Sequence, residues 1–371
     1  MAFTAQDVKA LREKTGVGMM ECKKALVEAD GDMDKAIDFL RERGLAAAQK
    51  KATRIAAEGV VLPYYDKATK NGVVLEVNSE TDFVAKNEKF MSFVEGVAKT
   101  ILATDPADVE ALKEEKFDGT DRTVTETLND LVLAIGENMK VRRFDRMEGI
   151  ASTYIHAGGS VGVMVGFDVA DESKADTDEF NAMGKNVAMQ IAAMNPEYLS
   201  SDDISAEESE KMHSITVDSA LNTPASLPIP ILSKLIDEAI NDKKWTDDDI
   251  TIYQGLDQKQ RKNFTNFISK EALETLAGIA VAHKAEIVEN KIFTGLVKGR
   301  LAKQIKEICL LEQDFVRSDL FQGSVKGYID SVAKELGTEI KANGFIRMMK
   351  GDGLEKREEN FAEEIAKQIN G

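Results

Sequence analysis

The chain has 371 residues, of which 43% are hydrophobic, and a formal net charge of −17. This length predicts two or three domains, each with enough apolar residues for a core. The negative charge argues against direct nucleic-acid binding, because phosphate backbones repel an acidic protein. Two cysteines are too few for a disulfide framework or a zinc cluster and favour a reducing compartment. With no signal-peptide pattern in residues 1–7 and no apolar run long enough to span a membrane, we expect a soluble, cytoplasmic protein.

Residues 1–57 predict three short helices followed by a connector. Thr4 and Asp32 each precede an apolar run of helical period, which is typical of capped helix starts. Gly44 stands where the third run ends and predicts a helix-terminating glycine. The Ala- and Lys-rich residues 45–57 then form a helical or extended connector.

Residues 58–147 change to runs of β-branched residues separated by turn residues, which is typical of strands and hairpins. We predict, in chain order, strands at 60–65 and 73–77, helices near 90–101 and 124–135, and a strand at 139–147.

The same order of elements recurs in two later segments, 148–204 and 290–355. The predicted elements there are strands at 150–155 and 161–169, helices at 180–194 and 292–305, and a strand at 344–349. Arg143 precedes Glu148 by five positions, and Arg347 precedes Asp352 by the same spacing. We therefore predict an α+β fold with a duplicated β-β-α-α-β core.

Two further segments complete the predicted organisation. Residues 205–289 combine helical periodicity with an acidic run at 247–249, and predict a helical insertion of the helical-hairpin type with a solvated acidic surface. Residues 356–371 are amphipathic and predict a C-terminal helix.

Residues with catalytic or metal-binding chemistry do not form a recognisable site. The acidic residues near Asp32 lack the glycine and glutamate of a calcium loop, since Lys35 and Arg41 occupy those positions. The three histidines lack partners at metal-ligand spacing. His156 lies before two glycines, as in some esterase loops, but no nucleophile motif accompanies it. We therefore predict no catalytic residues, no metal and no cofactor.

Two motifs resemble the signatures of the elongation factor Ts family. They are LREKTGVGMMECKKAL at 11–26 and EVNSETDFVAKN at 76–87. Shorter similarities follow at 154–156, 162–163, 188–193 and 353–362. The resemblance covers about 2–205 and 290–371, whereas 205–289 departs from the short form of the family.

The resemblance implies a guanine-nucleotide exchange factor for the GDP-bound form of elongation factor Tu, acting by protein binding and not as an enzyme. It also implies that residues 1–57 form a ubiquitin-associated-like module. The negative charge and the lack of a long apolar run predict no direct nucleic-acid partner and no membrane partner. The implied wedge against the magnesium site of the partner is Thr81, Asp82, Phe83 and Val84. Further implied partner contacts are Arg12, Met19, Met20, His156 and Phe361.

Other interpretations of these residues stay open from sequence. Phe83 lies seven positions before Phe90 and would suit the core stripe of one helix. Met19 and Met20 would suit a core equally well. The chain as a whole would also suit a scaffold whose helical head binds ubiquitin-like partners, or a hydrolase that uses His156.

Overall fold

The structure is a computed structural model in which residues 3–261 and 263–355 are described. Its described residues form two compact units, one made of 3–195 with 315–355 and one of 196–314. Helices combined with two antiparallel sheets confirm the α+β class. The predicted C-terminal helix at 356–371 lies outside the described residues.

The helices and strands are, in chain order, α1 (Ala5–Thr15), α2 (Met19–Glu28), α3 (Met33–Lys51), β1 (Glu58–Asp66), β2 (Asn71–Ser79), α4 (Glu88–Thr104), α5 (Val109–Glu114), α6 (Val124–Ile135), β3 (Met139–Glu148), β4 (Ile150–His156), β5 (Val161–Val169), α7 (Asp178–Met194), α8 (Ala206–Leu221), α9 (Ile229–Asn241), α10 (Asp247–Gly255), α11 (Gln258–Arg261), α12 (Lys270–Ala282), α13 (Lys284–Val288), α14 (Lys291–Ile308), α15 (Val325–Leu336) and β6 (Ile340–Met349).

The first three helices form a small head with its own core, built around Leu11, Cys22 and Leu26. Its two predicted helix starts are confirmed. Thr4 forms a capping box at the start of α1, and the Asp32 carboxylate accepts two backbone N–H bonds at the start of α3. These bonds satisfy amide groups that lack a partner within the helix.

Gly44 does not end the third helix, so that prediction is wrong. α3 continues to Lys51, and Gly44 is buried within it. A Cβ at this position would lie 3.2 Å from the backbone oxygen of Asn129 in α6. The glycine therefore serves the close packing of α3 on α6, and Leu133 of α6 packs against the core of the head.

Each sheet has three antiparallel strands with the first two joined as a hairpin, in the orders β1-β2-β3 and β4-β5-β6. The helices that contact the two sheets have matching lengths: α4 and α7 have 17 residues each, and α6 and α15 have 12 each. Each sheet also has one register shift, at Glu76/Val77 in the first and at Gly166/Phe167 in the second.

The helix that supports the second sheet differs from the one expected. The predicted helix at 292–305 is observed as α14, but its Phe293 and Val297 belong to the core of the 196–314 unit. The helix beside α7 and β6 is α15, which the sequence pattern did not reveal.

The two sheets pack against each other through one face of each. Val61 and Val74 of the first sheet share a buried cluster with Met164 and Met348 of the second. The second hairpin also contacts the edge of the first sheet, since the Val61 N–H donates to the Gly159 carbonyl at 2.8 Å.

The 196–314 unit has its own hydrophobic core and extends well beyond a two-helix hairpin, from α8 to α14. The indole of Trp245 is buried there and donates to the Ala272 carbonyl at 2.9 Å. The expectation of a solvated acidic surface fails at Asp249, which is only 4% exposed. Its carboxylate accepts bonds from Thr246 and Ser269 and so links the starts of α10 and α12.

Candidate functional site

A short loop, residues 80–84, leads from β2 into a 3-10 turn that precedes α4. β2 ends at Ser79, and a single 3-10 turn spans Val84–Lys86. The Asn87 side chain then accepts N–H bonds from the first turn of α4, as an N-cap residue does. Both ends of the loop are thus continuous with regular structure, which leaves few residues free to move.

Phe83 occupies the tip of this loop and is 78% exposed, the highest value for any large hydrophobic residue in the described ranges. Its neighbour Val84 is buried in the core beneath the first sheet. The interpretation of Phe83 as part of a core stripe with Phe90 is therefore wrong, because α4 begins only at Glu88. A solvent-exposed phenylalanine on a structured loop is typical of a contact surface.

Glu137, which follows α6, binds the loop through hydrogen bonds from Thr81. One oxygen of its carboxylate accepts the backbone N–H of Thr81 at 3.0 Å, and the other accepts the Thr81 hydroxyl at 2.8 Å. The Ser79 hydroxyl donates to the Thr81 carbonyl at 2.9 Å. Both backbone polar groups of Thr81 are therefore paired, so this residue supports the loop.

A second set of bonds joins the loop to the connector after the head. The Glu80 carboxylate accepts the backbone N–H of Asn138 at 2.6 Å and faces Arg54 at 3.4 Å. The Asn138 side chain donates to the Arg54 carbonyl at 2.8 Å. Glu137 and Asn138 lie outside every motif found in the sequence; the only local signal was the helix-ending Gly136 before them.

Asp82 is exposed, and its carboxylate lies 3.9 Å from the Lys86 ammonium group. Exposed ion pairs of this kind contribute little to stability. Asp82 therefore adds negative charge beside Phe83 without being needed to hold the loop.

Three predicted contact residues lie on the exposed surface of the head. Arg12 is exposed on α1, and Met19 and Met20 are 44% and 65% exposed at the start of α2, so neither methionine fills a core. The carbonyl of Gly16, just before them, accepts a bond from the Lys89 ammonium at 2.8 Å. The structure thus brings this corner of the head beside the first turn of α4, which directly follows the loop.

His156 is exposed at the end of β4, with its Nδ1 atom 3.3 Å from the Tyr154 hydroxyl. Over the described residues, no hydrogen bond joins it to residues 81–84. The turn that follows it packs on β1, so His156 lies on a separate element of the same unit. Phe361 lies outside the described residues.

The second motif also contains a buried charge, Glu76 in β2. Burial by itself raises the pKa of this carboxyl, but bonds from the Gly351 backbone, Asn78 and Arg142, with the charge of Arg143, lower it below its ordinary value. Glu76 is therefore a charged structural link, whereas Phe83 is an exposed large hydrophobic residue of the same motif.

Residues suited to other chemistry are sparse. No group of three His, Cys, Asp or Glu residues within 3–261 and 263–355 is arranged to hold a metal ion. Both cysteines are buried, and burial raises the pKa of the Cys309 thiol to about 11. Within the same ranges, we find no helix of the length and apolarity needed to cross a bilayer.

Comparison with known proteins identifies the family. The family model "Elongation factor TS" matches residues 80–352. A protein named Elongation factor Ts from Clostridium kluyveri is 40% identical over 374 residues, and the match covers 100% of this chain and 99% of the relative. The Elongation factor Ts of Clostridium botulinum (strain Eklund 17B / Type B) is 39% identical, with 99% of each chain covered. That of Magnetococcus marinus is 37% identical, with 100% of each chain covered. With this coverage, and with the exposed Phe83 loop inside the matched region, the chain belongs to the elongation factor Ts family.

Proposed function

We propose that this chain binds the GDP-bound form of elongation factor Tu and accelerates the release of GDP, so that GTP can bind. Its family implies a nucleotide-exchange role in translation elongation. The observation that carries the finer proposal is the exposed Phe83 side chain on a loop that is otherwise anchored.

In the proposed mechanism, the loop of residues 81–84 inserts its exposed Phe83 between two helices of the nucleotide domain of the partner and disturbs its magnesium site, while the buried Val84 supports the loop from within the chain. Magnesium neutralises the phosphate oxygens of the bound nucleotide, so displacing it weakens GDP binding. An aromatic side chain suits this role because it buries a large apolar area with few rotatable bonds.

Exchange of this kind is a thermodynamic linkage. If the factor weakens GDP binding tenfold, GDP weakens binding of the factor tenfold as well, which corresponds to about 1.4 kcal/mol. No covalent step is needed, and we propose no catalytic residue, cofactor or metal for this chain. We also propose a cytoplasmic location and no direct nucleic-acid partner.

The head and the second hairpin supply further proposed contacts. Arg12, Met19 and Met20 would extend the partner contact beyond the 80–84 loop, because the bond between Gly16 and Lys89 places this corner of the head beside the start of α4. His156 would contact the same domain of the partner from another element, and Phe361 would contact the partner elsewhere.

We retain the division of the chain as part of the proposal, except that α14 packs in the core of the 196–314 unit. Residues 1–57 would be the ubiquitin-associated-like head with its connector, 58–147 the first core unit, 148–204 with 290–355 the second, 205–289 the insertion and 356–371 the C-terminal helix.

The test is the release rate of a fluorescent GDP from elongation factor Tu, with increasing amounts of this protein. We expect a saturable acceleration that Phe83→Ala reduces about 10- to 100-fold at subsaturating concentrations, because burying a large apolar side chain contributes about 1.5–3 kcal/mol. Ile229→Ala is the matched control, since Ile229 is 69% exposed in the 196–314 unit. Equal rates for Phe83→Ala and wild type would exclude the wedge, and no acceleration by the wild type would exclude exchange activity.

A further inference from the structure

Glu137 is itself firmly placed. It follows Gly136, whose left-handed φ of 90° turns the chain after α6. It precedes the buried Asn138, whose backbone and side chain are both bonded, to Glu80 and to Arg54. Its carboxylate is therefore a fixed acceptor for the loop and not a mobile surface charge.

The second sheet contains an equivalent contact, which serves as an internal comparison. Asp171 follows the end of β5 by two residues, as Thr81 follows the end of β2. The backbone N–H of Asp171 donates to the hydroxyl of Thr338 at 3.0 Å. Thr338 follows a helix-ending glycine after α15, as Glu137 does after α6. In both sheets, the backbone amide two residues after the middle strand is therefore bonded by the residue that follows a helix-ending glycine.

The two contacts differ in strength and in what the loop presents. The first uses a carboxylate acceptor and gains a second bond from the Thr81 hydroxyl, whereas the second uses a hydroxyl acceptor and one bond. The place of Phe83 in the second loop is taken by Ser173, which is polar and exposed. The stronger anchor therefore occurs where the loop presents an aromatic side chain.

We infer that Glu137 is a positioning residue for exchange: its carboxylate holds the 80–84 loop in the free protein so that Phe83 meets the partner already ordered. Ordering the loop only after contact would cost conformational entropy that the two bonds from Thr81 remove in advance. This inference rests on the proposed function, since it assigns Glu137 a role through Phe83.

The test uses the full chain and three variants, Glu137→Ala, Glu137→Gln and Thr338→Val. Hydrogen exchange of the Thr81 amide, measured on the free protein, reports the anchor directly. The stimulation of fluorescent-GDP release reports its effect. Thr338→Val is the matched control, because it removes the equivalent anchor from the loop that lacks Phe83.

We expect Glu137→Ala to accelerate Thr81 amide exchange at least about tenfold and to reduce stimulation about tenfold at subsaturating concentrations, which equals about 1.4 kcal/mol. Glu137→Gln keeps an amide oxygen as acceptor and should stay within about threefold of wild type in both. Thr338→Val should loosen only the Asp171 amide and leave stimulation unchanged.

Combining Glu137→Ala with Phe83→Ala separates positioning from a general loss of structure. If Glu137 acts through Phe83, the double variant stimulates no less than Phe83→Ala alone. A further loss in the double variant, unchanged Thr81 protection in Glu137→Ala, or unchanged stimulation by it would each overturn the inference. A wild-type protein that does not stimulate would instead overturn the proposed function, and the hydrogen-exchange result would still show whether Glu137 anchors the loop.

Discussion

The backbone N–H of Gly351 donates to a carboxylate oxygen of Glu76 at 2.7 Å, although 275 positions separate the two residues. Glu76 lies in β2, and Gly351 follows β6, so the bond joins the first sheet to the end of the second. Gly351 has a φ of 69°, and a Cβ there would lie 2.5 Å from the Ala57 carbonyl oxygen, so the approach requires glycine. The two sheets are therefore linked by a buried charge as well as by apolar packing.

Glu76→Ala should strongly destabilise the unit that contains both sheets. The substitution leaves the Gly351 amide without its acceptor and removes the carboxylate from Arg142 and Arg143, and breaking a buried ion pair from one side typically costs about 3–5 kcal/mol. Urea unfolding followed by circular dichroism measures the change. Glu95→Ala, an exposed position on α4, is the control, and an equal effect of both variants would contradict the prediction.

Acidic pH should remove the contribution of Glu76 to the stability of the folded protein. Because its pKa in the folded protein is lowered, its stabilising effect is present above the ordinary glutamate value of about 4.3 and is lost as pH falls through the lower folded value. Glu76→Gln has no charge to lose. The difference in melting temperature between wild type and Glu76→Gln should therefore be large at pH 7 and shrink below about pH 4. A difference that stays constant over this range would show that the charge of Glu76 is not responsible.

Two neighbouring aspartates should behave differently in the 196–314 unit. Asp249→Ala leaves the Ser269 amide and two hydroxyl groups without an acceptor, and should cost about 1–3 kcal/mol. Asp247→Ala changes an exposed residue of the same first helical turn and should cost much less. The fluorescence of Trp245, the one tryptophan in the sequence, follows unfolding of the same core. Similar unfolding midpoints for the two variants would contradict the prediction.

Two adjacent glycines offer a test of how the second hairpin contacts the first sheet. Both Gly158 and Gly159 have positive φ, so alanine strains each backbone by about 1–2 kcal/mol. A Cβ at 159 would also lie 2.2 Å from a Val60 methyl carbon, whereas one at 158 meets open space. Gly159→Ala should therefore cost about 1–3 kcal/mol more than Gly158→Ala in thermal unfolding. Equal melting temperatures would mean that the hairpin does not rely on this contact.

Local rules predicted much of the fold because the elements are locally consistent. Capping residues such as Thr4 and Asp32 act within four positions, so their bonds are readable from sequence. The prediction failed where distant packing decides. Gly44 resembles a helix-ending glycine until α6 is brought against it, and Asp249 resembles a solvated charge until Ser269 is placed beside it.

The sequence predicted a duplicated core, but it did not predict how the strands of the two sheets align. The equal spacing in the sequence paired Arg143 with Arg347. The strand register instead places Arg146 and Arg347 at equivalent positions, because Glu148 and Met349 pair with the first residues of β2 and β5. A short pattern of charges does not determine which residues of two strands are equivalent, whereas the hydrogen-bonded strand pairing, with one bulge at a defined position, does.

The candidate site was predictable only in part. The motif resemblance singled out residues 81–84, and periodicity alone favoured the wrong environment for Phe83. Glu137 was not predictable, because its role depends on a bond across 56 positions and leaves no periodic signal. Whether residues 81–84 disturb a magnesium site stays a prediction.

The position of β6 in the chain has a consequence for biosynthesis. The β4–β5 hairpin ends at Val169, but the strand that completes its sheet begins only at Ile340. At about 5–20 residues per second, a ribosome would need roughly 10–30 s to make the intervening segment. For that time the nascent chain carries an incomplete sheet with an open edge on β5. An unpaired edge of this kind can pair with other chains until β6 has been made.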